Sequence, residues 1–265
     1  MDGLQRCVRY AFGPNRLHLC GPEANKEVLS YITEQSPDKG LVLLLKQFKT
    51  MYPYLQKIAE ANKIKDPFDD KVVEAYWLGN ELLENIGKKN FYEHLIETQV
   101  DKKLSPKEFK ILRDKLGGSP PHQTRISASS AGFKQSLFGV GARMHHTFHV
   151  YNIWKKKQDF MELKTYDDVD HCRVSWGKII KIDGPALTVK TQSLVFSEPA
   201  GFTFGSEYDK IIHRKLHDDF MEEVKPGDMI SIHWDQPCEI LTNRQVKYLE
   251  KYTRMSTRFA NNDRA

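Results

Sequence analysis

The sequence predicts an α+β protein, helical in its N-terminal half and β-rich in its C-terminal third, with a closing helix. Three observations carry that expectation. Apolar residues recur at three-to-four spacing up to about residue 118, alternate with a period of two after Asp170, and return to helical spacing from Asn243. The intervening stretch from Ser119 to Ser130 is rich in Pro, Ser and Ala and reads as a connection.

The elements follow in order. Gly21-Pro22-Glu23 places proline at a helix start, followed by Val28, Leu29 and Ile32, and Ser36-Pro37-Asp38-Lys39-Gly40 ends that segment. A second helical stretch runs from Leu41 to Ala61 and is broken or kinked near Pro53. A third follows Asp66-Pro67, carries Val72, Val73, Tyr76, Trp77, Leu82, Leu83 and Ile86, and is expected to stop at Gly87. Ser105-Pro106-Lys107-Glu108 has the form of a capping box. Met144 to Trp154 is ambiguous: His146, Phe148 and Val150 alternate as in a strand, while His145 and His149 are four apart as on a helix.

After Asp170 the elements are strands. Trp176, Ile180 and Ile182 share one parity, Asp183-Gly184 turns the chain, and Leu187 and Val189 alternate with polar residues. Pro226-Gly227-Asp228 leads into a strand with Ile230, Ile232 and Trp234 on one face and Met229, Ser231 and His233 on the other. Thr242 is a candidate N-cap for the helix carrying Val246, Leu249 and Tyr252. The expected organisation is a helical bundle domain over residues 1–118, a connecting segment over 119–165, and a small OB-like β-barrel with a C-terminal helix over 166–265.

Bulk properties narrow the function. Hydrophobic residues make up 40% of the 265, enough for a sizeable core and too many for a disordered chain. No apolar run approaches bilayer-spanning length and no apolar signal region follows the N-terminal charges, so the expectation is a cytoplasmic protein that does not engage a membrane. The net charge of +5 is mixed with acids along most of the chain, the pattern of a solvated surface rather than of a nucleic-acid interface. Cys7, Cys20, Cys172 and Cys238 contain no CxxC pair, neither a disulfide framework nor a structural zinc pattern. Phosphate-binding P-loop, dinucleotide GxGxxG and hydrolase GxSxG motifs are absent.

Two segments of the β-rich third resemble the HypC/HupF family of hydrogenase-maturation chaperones. The first is Cys172-Arg173-Val174-Ser175-Trp176-Gly177-Lys178-Ile179, followed by Ile182-Asp183-Gly184. The second is Gly227-Asp228-Met229-Ile230-Ser231-Ile232-His233, with the helix from Thr242 to Tyr252 behind it. The resemblance implies a small barrel in which Cys172 and His233 hold an iron fragment bearing cyanide and carbonyl ligands. It implies a non-enzymatic assembly factor of NiFe-hydrogenase, partnered by the pathway's scaffold protein or the hydrogenase large subunit. Thiolate and imidazole suit low-spin iron on general grounds. The chain departs from that pattern in three respects: Cys172 is internal, Trp176 stands where the family has proline, and Ser197 to Val224 is longer.

Two readings from other classes stand beside it. His145, His146 and His149 form the densest histidine cluster and suit an iron- or zinc-dependent metalloenzyme, although no Glu lies between them for a zincin. A nucleic-acid-binding barrel would need exposed aromatics among basic residues, whereas Trp176 and Trp234 share parity with aliphatic positions. Cys7, His18 and Cys20 could form part of a metal site, but their spacing matches no structural zinc pattern, and a buried cysteine in an ordered N-terminal arm is the favoured reading. His171 and Cys238 flank the motif residues as a rim histidine and a core cysteine or as neighbours of a site. The acid pairs Asp69-Asp70 and Asp167-Asp168 read as helix starts.

Overall fold

A computed structural model describes residues 1–34, 37–87, 143–156, 165–214 and 223–262. The expected capping box at Ser105, the Ser119–Ser130 connection and part of each of the first two expected domains lie outside the described residues.

The chain opens with α1 (Gly3–Asn15), capped by Asp2, whose carboxylate accepts from the Leu4 and Gln5 amides. There follow α2 (Asn25–Glu34), α3 (Lys39–Lys46), α4 (Tyr52–Ala61) and α5 (Asp70–Trp77). Asp38 and Asp69 cap α3 and α5, and Pro53 occupies the first turn of α4, where its missing N–H costs nothing. The third predicted helix ends earlier than Gly87. Gly79, at φ +85°, terminates α5 with its amide on the Glu74 carbonyl, and Glu81–Asn85 is a separate 3₁₀ turn. Gly79 is also pressed onto the Tyr252 ring, where a Cβ would lie 2.2 Å from a ring carbon.

The ambiguous segment is helical: α6 spans His146–Lys156. The short α7 (Tyr166–Cys172) starts with a complete capping box between Thr165 and Asp168. Five antiparallel strands follow, β1 (Ser175–Asp183), β2 (Ala186–Ser197), β3 (Gly201–His213), β4 (Met229–His233) and β5 (Gln236–Ile240), and then α8 (Asn243–Asn262). The sheet order is β3-β2-β1-β4-β5. The α+β layout is as the sequence predicts, but the barrel is not closed: among the described residues no ladder joins β3 to β5. Helices lie at both ends of the sheet instead. The Asn261 side chain of α8 bonds both backbone groups of Phe202 at the start of β3, and Arg9 of α1 donates to the Cys238 carbonyl of β5.

Two parity expectations shift for local reasons. Ile179, on the side of buried Gly177, faces the core and Ile180 is exposed, and the bulge between Ile179 and Lys181 then brings Ile182 back to the core side. Trp234 belongs to the β4–β5 turn rather than to the strand, with Trp234 and Asp235 both left-handed at φ +49° and +59°.

Helix α1 joins the two ends of the chain. It is buried along almost its whole length, and Arg6, Arg9 and Tyr10 meet partners on β4 and β5. The Arg6 guanidinium pairs with the Glu239 carboxylate at 3.0 Å, with both side chains about 5% exposed. The Tyr10 hydroxyl lies 2.6 Å from Ser231 Oγ and donates to Glu239 Oε1 at 2.9 Å. The face of β4 carrying Ser231 and His233 is therefore covered by a helix, while Ile230 and Ile232 fill the core on the sheet's other side. One apolar core runs from α1–α5 through Val174 and Cys238 to Leu249 and Tyr252 of α8.

Breaking one partner of a buried ion pair leaves a desolvated charge and costs about 3–5 kcal/mol, whereas an apolar pair of similar volume is nearly neutral. Arg6→Met is expected to lower the urea-denaturation free energy by about that amount, and Arg6→Met with Glu239→Leu to recover most of it. An Arg6→Met protein as stable as wild type would refute the role assigned to this pair.

Candidate metal centre

Cys172 is the last residue of α7 and His233 the last of β4, and the fold brings both against the first residue of α6, His146. One donor atom from each of His146, Cys172 and His233 lies within 4.8 Å of the others, and all three residues are buried. Donors around a tetrahedral ion stand roughly 3.5 Å apart, given metal–sulfur and metal–nitrogen bonds of about 2.3 and 2.1 Å. The cluster thus needs about an ångström of inward movement to close on an ion.

Hydrogen bonds set the tautomers. His233 Nδ1 is 2.7 Å from the Tyr10 carbonyl, which only accepts, so Nδ1 carries the proton and Nε2 presents its lone pair. That Nε2 is buried and has no hydrogen-bond partner. A buried orphan acceptor is costly in a structural histidine and is what a ligand needs. His146 Nε2 likewise donates to the Cys172 carbonyl at 2.8 Å, leaving Nδ1 as the donor atom, 3.1 Å from the Tyr76 hydroxyl. The carbonyl of one candidate ligand therefore orients another. Gly13 lets α1 approach this closely: a Cβ there would lie 2.6 Å from the His233 carbonyl oxygen.

The walls are aromatic. The Trp77 ring lies 4.4 Å from His146 and 5.5 Å from His233. A cavity beside the cluster is lined by Phe48, Met51, Tyr76, His149 and Cys20 together with the three candidate ligands. Burial lowers the His233 imidazole to about 4 and pushes that of His146 down as well, helped by the neighbouring histidines. Burial also raises the Cys172 thiol far above its ordinary range and the Cys20 thiol to about 11. Without an ion the cluster is therefore uncharged at neutral pH, and an ion bound to Cys172 would displace its proton.

The remaining sequence candidates divide by position. His149 lines the cavity, with its Nδ1 3.3 Å from the same Tyr76 hydroxyl that faces His146. His145 is buried elsewhere, its ring 5.7 Å from that of Tyr252. Cys7 packs on Met51, Cys238 bonds the Gln236 carbonyl, and His18 is exposed on a loop at φ +58°. His171 is a partly exposed neighbour that pairs with Asp235. His233, by parity not a core position, is 1% exposed because α1 covers its face. Tyr76 and Trp77, legible in sequence only as a helix's apolar stripe, are the walls of the centre, and no motif marks them.

The family model of DUF6390, a family of unknown function, matches residues 1–265, the whole chain. The chain belongs to this family. No curated protein and no solved structure matches it. Among the described residues no helix is long and apolar enough to cross a membrane.

The buried imidazoles fix a pH dependence. His233 titrates near 4 and His145 near 3 in the folded protein, against about 6.5 unfolded. Below 6.5 the unfolded chain takes up protons that the folded chain refuses, so this stability is complete above that pH and lost as pH falls towards 4. The depressed carboxylate of Glu84, near 2 through its bonds to Lys251 and Arg143, acts only below about 4.5. Urea midpoints of the metal-free protein are therefore expected to fall between pH 7.5 and pH 5; an unchanged or higher midpoint at pH 5 would contradict the buried neutral histidines.

Proposed function

We propose that this protein is a metal-holding accessory protein that takes a transition-metal fragment at Cys172, His233 and His146. The supporting observation is the convergence of these side chains, from β4, α7 and α6, around an orphaned His233 Nε2. Sulfur and imidazole donors without a carboxylate select a late first-row metal over magnesium or calcium. Three protein donors leave further coordination positions open for what the metal carries.

The motif resemblance makes iron the metal and NiFe-hydrogenase maturation the process, with the pathway's scaffold protein and the hydrogenase large subunit as partners. Bound there, iron would supply a strong-field centre able to retain cyanide and carbonyl ligands. The protein's own residues do the rest. Cys172 gives up its proton to become a thiolate, the carbonyls of Tyr10 and Cys172 hold the imidazoles in their ligating tautomers, and Trp77 and Phe48 keep water out. Four free cysteines fit a reducing cytoplasm.

A second reading, an iron- or zinc-dependent enzyme, draws on the same centre, because His146 is shared with the histidine cluster and an open position suits catalysis as well as carriage. Anaerobic purification from a hydrogenase-expressing host, followed by elemental analysis and infrared spectroscopy, separates the two. Iron with cyanide and carbonyl stretching bands, lost in Cys172→Ala and His233→Ala, is the expected result. Metal without those bands would favour the enzyme, and no metal in wild type would overturn both.

A further inference from the structure

The loop between α1 and α2 brings a second thiol to the cavity. Cys20 is half-buried and lines the cavity that His146, Cys172 and His233 also line, its sulfur standing outside the group of three donors that lie within 4.8 Å of one another and needing to move inward to join it. The loop backbone is firmly held. The Asn15 amide donates to the carbonyls of Cys20 and Pro22, at 3.0 and 2.7 Å, and Gly21 at φ +85° lies so close to Phe48 that a Cβ would be 2.2 Å from the ring. The thiol is met by Thr50 Oγ1 at 3.8 Å and by the Gly21 backbone amide and, among the described residues, by no charged group.

Charge decides what that thiol is for. A divalent ion held by one thiolate and two neutral imidazoles carries a net positive charge into an apolar cavity, which is costly unless it is neutralised. No aspartate or glutamate lines this cavity, and besides the Tyr76 phenol the acidic groups that do are Cys172 and Cys20. Binding by two thiols and two imidazoles releases two protons and leaves the centre neutral.

We infer that Cys20 is the fourth donor, closing the position that the three buried ligands leave open over a divalent transition metal. The inference rests on the metal-holding reading above. Because Cys20 is on a partly exposed loop while the other three donors are buried, it is the ligand that yields when an incoming group takes the open position.

Cobalt(II) is the probe, since its thiolate charge-transfer absorption grows with the number of sulfur ligands and its visible bands report tetrahedral geometry. Metal-free wild type, Cys20→Ser, Cys20→Ala and Cys172→Ser would be titrated anaerobically, and the melting temperatures of the metal-free variants compared. The expected result is a two-thiolate band in wild type, halved in both Cys20 variants while their metal-free melting temperatures match wild type. Cys20 variants with an undiminished band, alongside a Cys172→Ser protein that loses it, would overturn the inference and leave the three-donor centre standing. A wild type that binds no cobalt would overturn both.

Discussion

The buried contact between α1 and the β4–β5 hairpin is the constraint on which the rest of this structure depends. Arg6, Tyr10, Ser231 and Glu239 form one connected polar group across elements more than two hundred residues apart in sequence. Desolvating such a group is expensive, and its net contribution to stability is small when every member is satisfied. Its effect is on specificity. A helix with these polar side chains is satisfied in one register against β4, and that register places the Tyr10 carbonyl on His233 Nδ1 and Gly13 against the His233 backbone. The three candidate ligands all come from the second half of the chain, and the first helix completes their setting by placing the Tyr10 carbonyl on His233 and covering that face of β4.

The site's electrostatics follow from that burial. Each imidazole is neutral, fixed in one tautomer by a backbone carbonyl, and faces a thiol that retains its proton. Such a cluster costs the apo protein the unsatisfied His233 Nε2, about 1–3 kcal/mol for a buried orphan group. A metal removes that cost and the thiol proton together, which couples folding, ion binding and proton release.

The sequence made some of this legible and concealed the rest for identifiable reasons. Cys172 and His233 are visible because each sits in a short motif with turn residues at fixed offsets. His146 is visible as one of a histidine cluster, but nothing in the spacing distinguishes it from His145, which points into a different part of the core. Helix α1 carries an apolar stripe at Leu4, Cys7, Val8, Ala11 and Phe12 like that of a surface helix, so nothing in its pattern shows that the opposite face, with Arg6 and Tyr10, is buried as well. The same coverage defeats the parity argument for β4, whose two faces are both inside. The open sheet is hidden too, since period-two patterning is identical in a barrel and in a sheet whose ends are met by helices.

The β4–β5 turn shows how two distant ligands are held in one geometry. Two-residue hairpin turns of this kind favour Asn-Gly, because both positions need positive φ. Here they are Trp234 and Asp235, each costing roughly 1–2 kcal/mol in the left-handed region. What offsets that cost lies mostly on α7, the helix that ends in Cys172. The Trp234 amide donates to the His171 carbonyl, its indole stacks on the His171 ring, and Asp235 forms an ion pair with Lys210 and lies 3.5 Å from His171 Nε2. Trp234 also packs in the same small core as Cys172. The turn immediately after His233 is therefore fastened to the residue immediately before Cys172, and the left-handed backbone persists because the two candidate ligands are locked together there.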